Sequence, residues 1–267
     1  MRATQWLTAS IFSVVLAGCA GLGMDPTPEV RQALAPGGKL RVGLLLGDST
    51  QAIKDSASGE MKGVGFDLGK ALAARMSVAF EPVTYPSIAA LLDAGKSGSW
   101  DVAFIGFTPA RAKDWNFATQ HVLVEFGYLV PGGSPISTMS DVDRAGVRIA
   151  VQERSGGDAF ISGAAKNATV VRAPSYAGTV EMQKSGKADV IFSIKPILFE
   201  TSTQLPGSRV LDGYPGTVPQ AMAMPKGREA GMAYARTFIE DAKADGTVKA
   251  AVERAGLRGV VVAPQEK

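Results

Sequence analysis

The residue best placed to do chemistry in this 267-residue chain is Arg111, at the end of Gly106-Phe107-Thr108-Pro109-Ala110-Arg111. An apolar run (Asp101–Ile105) precedes that segment, and a short helical stretch follows it. Thr108 is a residue type that caps a helix by accepting from a backbone N–H. Pro109 suits the first helical position, where its missing N–H costs nothing. Arg111 then lies one turn in, near the carboxyl end of a strand. A guanidinium there can hold a carboxylate through two parallel charge-assisted bonds. The same spacing also suits a solvated arginine on a capped helix, and spacing alone leaves both open. Other chemistries are poorly supplied. There is one cysteine, Cys19, and one histidine, His121. One thiol allows no internal disulfide and no Cys/His zinc cluster. A formal charge of +3, spread along the chain, is too weak for an electrostatic nucleic-acid reader. The composition, 46% apolar and 20% charged, is that of a folded globular protein.

Cys19 has a different meaning. Arg2 supplies a positive start, and Leu7 to Ala17 form an apolar stretch with Thr and Ser interruptions. That stretch is shorter than the roughly 20 residues needed to cross a bilayer, but it fits a signal-peptide core. It runs into Leu16-Ala17-Gly18-Cys19, which looks like a bacterial lipobox. The expectation is a lipoprotein signal peptide over 1–18, lipidation at Cys19 and a membrane anchor through the acyl chains. Residues 19–38, rich in Gly, Pro and Ala, read as a tether.

The elements that must position Arg111 alternate. Leu40–Leu46 is a continuous apolar run, as in a strand buried on both faces of a parallel sheet. Phe66–Met76 spaces Leu68, Leu72 and Met76 along one helical face. Strand Val78–Val83, helix Pro86–Ala94 and strand Asp101–Ile105 complete a βαβαβ order. The apolar run 122–130 ends at Pro131-Gly132-Gly133-Ser134-Pro135, a boundary signal. A second series follows. It comprises strand Val147–Val151, helix Ser155–Ala164, strand Thr169–Val171, helix Tyr176–Lys184, strand Asp189–Phe192, helix Pro196–Thr203 and strand Arg209–Leu211. A turn cluster at 212–219, strand Ala221–Met224 and helices within 228–255 close the chain. Two similar α/β series predict two lobes with a ligand cleft between them.

With these segments in place, the chain resembles the family 3 extracytoplasmic solute-binding proteins, the amino-acid-type receptors of ABC importers. The resemblance rests on Lys39–Gly43, Gly63–Leu68, Leu91–Lys96, Phe104–Arg111, Asn116-Phe117, Gly146–Val151, Lys184–Asp189 and Asp245–Val248, which run in the family's order. It implies an α/β, two-lobed periplasmic-binding-protein-like (type II) fold. Lobe one would be 39–127 plus 219–267, and lobe two 128–218. It implies that Arg111, the arginine of a T-x-x-R motif, grips the ligand carboxylate beside Thr108 and Gly106. A hydroxyl residue and backbone amides at a lobe-two helix start, here Ser155 and Gly156, would make the second contact; a plain helix cap is the other reading of Ser155. Tyr85 falls where the family often places a wall residue, although packing before Pro86 explains it equally. Asp48 lies in the loop that faces the cleft in the family, and it also suits a turn. His121 reads as a structural residue at the hinge edge, and Lys195 as a solvated lysine at a helix start.

The departures bear on the ligand. The family's usual hydroxyl positions are Gly106 and Phe104 here, and its usual ammonium-pairing Asp is Ile194, preceded by Ser193. A buried ammonium without a carboxylate is costly. Glu153, Asp48 and Glu125 are the replacements left, and without one the ligand has no α-amine. The preferred ligand is therefore a small organic acid or modified amino acid. The expected function is that of a monomeric substrate-binding lipoprotein, extracytoplasmic, not an enzyme and without cofactor, metal or nucleic-acid partner. It would capture a carboxylate-bearing solute by lobe closure and deliver it to ABC permease subunits. The alternative is a cyclohexadienyl or arogenate dehydratase-like enzyme on the same fold, with Glu153 or His121 as its acid–base group.

Overall fold

The computed structural model describes residues 25–55 and 58–266. Cys19 and the segment 1–18 lie outside them. The first element is a helix within the stretch read as a tether. α1 (Pro28–Leu34) is capped by the Thr27 side chain, which accepts from Val30 N, and has Pro28 in its first turn. Seven residues are too few for a free helix. Burial of Leu34, fully covered, holds it in place.

The first α/β series follows in the expected order. β1 (Lys39–Leu45) leads to a small hairpin, β2 (Ile53–Lys54) with β3 (Met61–Lys62). Then come α2 (Val64–Arg75), β4 (Ala79–Tyr85), α3 (Ile88–Lys96) and β5 (Val102–Gly106). β1 is parallel to both β4 and β5. Every residue of β5 is buried, which its unbroken apolar sequence requires. β6 is longer than its apolar run. It covers Trp115–Val130, because its polar first half is held by strand pairing rather than by its own hydrophobicity.

The second series comprises β7 (Arg148–Gln152), α4 (Gly156–Ala164), β8 (Thr169–Ala173), α5 (Tyr176–Lys184), β9 (Val190–Ile194), α6 (Lys195–Gln204) and β10 (Arg209–Val210). β11 (Thr217–Pro225) begins inside the segment read as a turn cluster. α7 (Ala230–Ala244), α8 (Thr247–Arg254) and β12 (Val260–Val262) finish the described chain. α1 lies against α7 closely enough that a Cβ on Gly231 would come within 2.9 Å of Leu34.

The strands join in the order β4-β1-β5-β11-β6-β9-β7-β8. The parallel sets β4-β1-β5 and β9-β7-β8 flank the antiparallel pair β11 and β6. β6 pairs with β11 through Trp115–Glu125 and with β9 through Phe126–Leu129, so one strand runs from one half of the sheet into the other. The chain returns beside it, where Phe126 N donates to Gly216 O. The carboxyl ends of both parallel sets meet at this crossing: Gly106 is opposite Gln220, and Ile194 is opposite Phe126. This is the mixed α/β, type II binding-protein architecture. Among the described residues no helix is long and apolar enough to cross a membrane.

Candidate functional site

Arg111 sits in a short 3-10 turn after β5, with its backbone N–H donating to Thr108 Oγ1 at 3.2 Å. Its side chain folds back into the protein and is only 8% exposed. Nη1 donates to Gly106 O at 2.7 Å, and Nη2 donates to Arg154 O at 2.8 Å. Both partners are neutral carbonyls. Burial, with the nearby Arg154 guanidinium adding to it, pulls Arg111 below the ordinary arginine range to about 10. At neutral pH it remains a cation, buried and, among the described residues, without a carboxylate partner. Such a group is costly unless an anion joins it.

That anion has a place to go. Arg111 borders a cavity of about 60 Å³ at the crossing of β6 and β11. This is room for a few waters or a compact solute. Gly106, Ser155, Gly156, Asp48 and Ser193 also line it, so six of the eight residues proposed from sequence come together. Ser155 caps α4, its Oγ accepting from Asp158 N at 3.0 Å. The first-turn N–H groups of Gly156 and Gly157 have no partner within the helix and, with the helix dipole, favour negative charge.

The other two residues lie elsewhere. Thr108 is buried and caps the Arg111 turn, and it borders a separate, more open hollow on the far side of the guanidinium. Tyr85 ends β4, packs beside the cluster of Leu91, Trp100 and Ile105, and does not line the cavity. Its position in the register, opposite Leu45 on β1, leaves β1 and β5 between it and the crossing strands.

Three carboxylates were candidates for a ligand ammonium. Glu125 is taken, because Lys195 Nζ lies 2.7 Å from its Oε2. Lys195 is therefore a largely covered ion-pair partner rather than a solvated lysine. Glu153 follows β7, with its N–H donating to Ala173 O, and does not line the cavity. Asp48 does. It is 5% exposed, and Oδ1 accepts from Thr50 N at 2.9 Å and Thr50 Oγ1 at 2.6 Å. Burial raises its pKa, while the Thr50 and Gln51 hydrogen bonds pull the other way. His121 lies off the cavity, edge-on to Phe104 at 5.5 Å.

Sequence reasoning missed an amide set. Gln51, Gln152 and Gln220 line the cavity from the loop after β1, the end of β7 and β11. Gln51 Oε1 accepts from Leu45 N at 2.9 Å, which fixes the loop that carries Asp48. Val218 and Ile197 supply apolar wall. No spacing rule marks a glutamine for such a role. The only available signal covered two of the three: Gln152 ends a strand and Gln51 lies in the loop after one, whereas Gln220 sits inside β11.

The arrangement can bind a small anion between a buried guanidinium and a helix start, with polar amides and one carboxylate around it. Comparison with known proteins agrees in fold and family. The model of the bacterial extracellular solute-binding proteins, family 3, matches residues 40–256. The ABC transporter glutamine-binding protein GlnH of Bacillus subtilis (strain 168) is 24% identical over 250 residues, covering 89% of this chain and 90% of that protein. Among solved structures, the amino acid ABC transporter substrate-binding protein AbpA from Streptococcus pneumoniae Canada MDR_19A, bound to L-arginine, superposes with a TM-score of 0.73 at 21% identity. It covers 84% of this chain and 97% of that one. The ancestral amino acid-binding protein AncCDT-1, a precursor of cyclohexadienyl dehydratase, gives a TM-score of 0.68 at 23% identity, covering 81% of this chain and 94% of that one. The chain belongs to the bacterial extracellular solute-binding proteins, family 3.

Proposed function

We propose that this protein is the extracytoplasmic receptor of an ABC importer and captures a compact carboxylate-bearing solute, an amino acid or a related organic acid. The observation that carries this is Arg111: a buried guanidinium at a cavity wall, held by two carbonyls and lacking an anion. The solute carboxylate docks on Arg111 and on the amides of Gly156 and Gly157. Residues 39–127 with 219–267 form one lobe and 128–218 the other, and they close over the ligand by bending where β6 and β11 cross. The protein works as a monomer, held at the membrane by lipid on Cys19, and hands its solute to a permease. The glutamine-binding relative and the arginine-bound structure support a ligand of amino-acid size.

A thermal-shift screen of L-amino acids, hydroxy acids and dicarboxylates, followed by calorimetry, tests this. A ligand at about 100 times its dissociation constant adds roughly 2.7 kcal/mol of stability. Arg111→Ala should weaken the best carboxylate about tenfold or more, since a charge-assisted hydrogen bond contributes about 1.5–3 kcal/mol. The unliganded protein should lose little stability, because the deleted charge was unpaired. Equal affinity in Arg111→Ala would sink the assignment.

A further inference from the structure

β11 carries two side chains that carboxylate capture leaves unused. Val218 and Gln220 are two residues apart, so both face the same side of the strand, and both line the cavity. Val218 Cγ2 occupies the gap between two glycines: a Cβ on Gly106 would come within 3.1 Å of it, and a Cβ on Gly156 within 3.2 Å. Gly106 ends β5 and Gly156 begins α4. One valine on the crossing strand therefore narrows the cavity against both halves of the sheet. Gln220 stands directly opposite Gly106 and is 4% exposed. Among the described residues its Oε1 has no hydrogen-bond partner.

The orientation of that amide follows from its neighbour. Thr50 has a single hydroxyl proton, and it goes to Asp48 Oδ1 at 2.6 Å. Thr50 Oγ1 can then only accept, so the end of Gln220 that meets it, at 3.5 Å, is the donor Nε2. Oε1 is the remaining end, a buried acceptor with nothing to accept. Buried acceptors are normally paired, and this one belongs to a cavity built for a ligand.

Resting on the carboxylate reading of the cavity, we propose that β11 selects the ligand. Val218 limits its size, and Gln220 Oε1 accepts a hydrogen bond from its hydroxyl or amino group. The ligand class is a short hydroxy- or amino-carboxylate. Asp48, one hydroxyl away through Thr50, places a second acceptor group beside Gln220. This end of the cavity therefore favours donors and disfavours a second carboxylate.

Calorimetry with propionate, lactate, free glycine, L-alanine and L-leucine tests the assignment. Lactate, glycine or L-alanine should bind at least tenfold tighter than propionate. Gln220→Leu should reduce that advantage to within about twofold, and Gln220→Met should do the same if the leucine variant folds poorly. Val218→Ala should raise the affinity for L-leucine relative to L-alanine. An advantage that survives in both Gln220 variants, or a size ranking unchanged by Val218→Ala, would overturn the proposal. Arg111-dependent binding of propionate and lactate with equal affinity would overturn it while leaving the carboxylate reading intact. No binding by any of the five would overturn the proposal and leave the wider carboxylate screen to decide the reading beneath it, whereas binding indifferent to Arg111 would remove both.

Discussion

His121 is 1% exposed, and among the described residues its Nδ1 has no hydrogen-bond partner. Burial, with the charge of Lys243 adding to it, drops its pKa to about 3. An unfolded histidine titrates near 6.5. The folded state thus refuses a proton that the unfolded state accepts. Stability is intact above pH 6.5 and is lost as pH falls toward 3, at about 1.4 kcal/mol per unit. Urea unfolding at pH 7 and pH 5 should differ by about 2 kcal/mol from this residue alone. His121→Phe, which keeps an aromatic ring against Phe104, should remove most of that difference; an unchanged pH slope would contradict the account. A lone histidine invites a catalytic reading, but here its burial makes it an acid-sensitive packing residue. At this scale some of the site was legible and some was not. Arg111 and Ser155 stand in patterns that local rules recognise, a proline-started turn and a glycine-flanked helix start. Gln51 and Gln220 do not, because an amide acquires its role from neighbours far away in sequence.

The two α/β series share a fastening. Asp101, just before β5, accepts from Arg41 N, Nε and Nη2 on β1, and its own N–H donates to Arg41 O. Asp189, just before β9, accepts from Arg148 N, Nε and Nη2 on β7, and donates to Arg148 O. The two staples differ in cover. The Asp101 side chain is fully buried and also receives Arg228 Nη1, whereas that of Asp189 is 35% exposed. Asp101→Ala strands two partly covered guanidinium groups and should cost about 3 kcal/mol, the low end for breaking a buried pair. Asp189→Ala should cost a fraction of that, since exposed pairs are weak. Chemical denaturation of both variants checks the ranking, and a reversal would show that burial does not set it. Elements with their own hydrophobic signal, such as β1, β5 and α2, were legible within a few residues. β11 was legible only in its second half, Ala221–Met224, because Gly213, Gly216 and Pro219 gave its start the look of a turn. It is a strand because β5 and β6 pair with it from both sides, and Pro219, without an N–H, still accepts from Phe107 N at 2.8 Å.

At the scale of the whole molecule, Arg154 links what the crossing strands separate. It is a non-glycine residue with φ +59, just ahead of α4. That conformation is unfavourable for a side chain bearing a Cβ. Here it turns the Arg154 carbonyl onto Arg111 Nη2 and leaves the guanidinium forked on Asp93 of α3, with contacts at 3.0 and 3.3 Å. The Asp93 carboxyl is held below its usual range chiefly by that hydrogen bond. A contact between α3 and the α4 turn exists only while the two halves stand close. In the hinge motion proposed above, it favours the closed arrangement and acts on ligand release more than on capture. Both side chains are solvent-exposed, at 45% and 61%, so the effect is small. Arg154→Ala should shorten ligand residence by a few-fold and leave the association rate unchanged, because the carbonyl on Arg111 remains. Asp93→Ala should match it, and the double variant should add nothing further, as expected for one shared contact. Raising salt should erase the difference from wild type. Stopped-flow dissociation of the best carboxylate from the four proteins measures this. Additive single effects would mean that Arg154 and Asp93 act through separate contacts rather than as one bridge across the closed cleft.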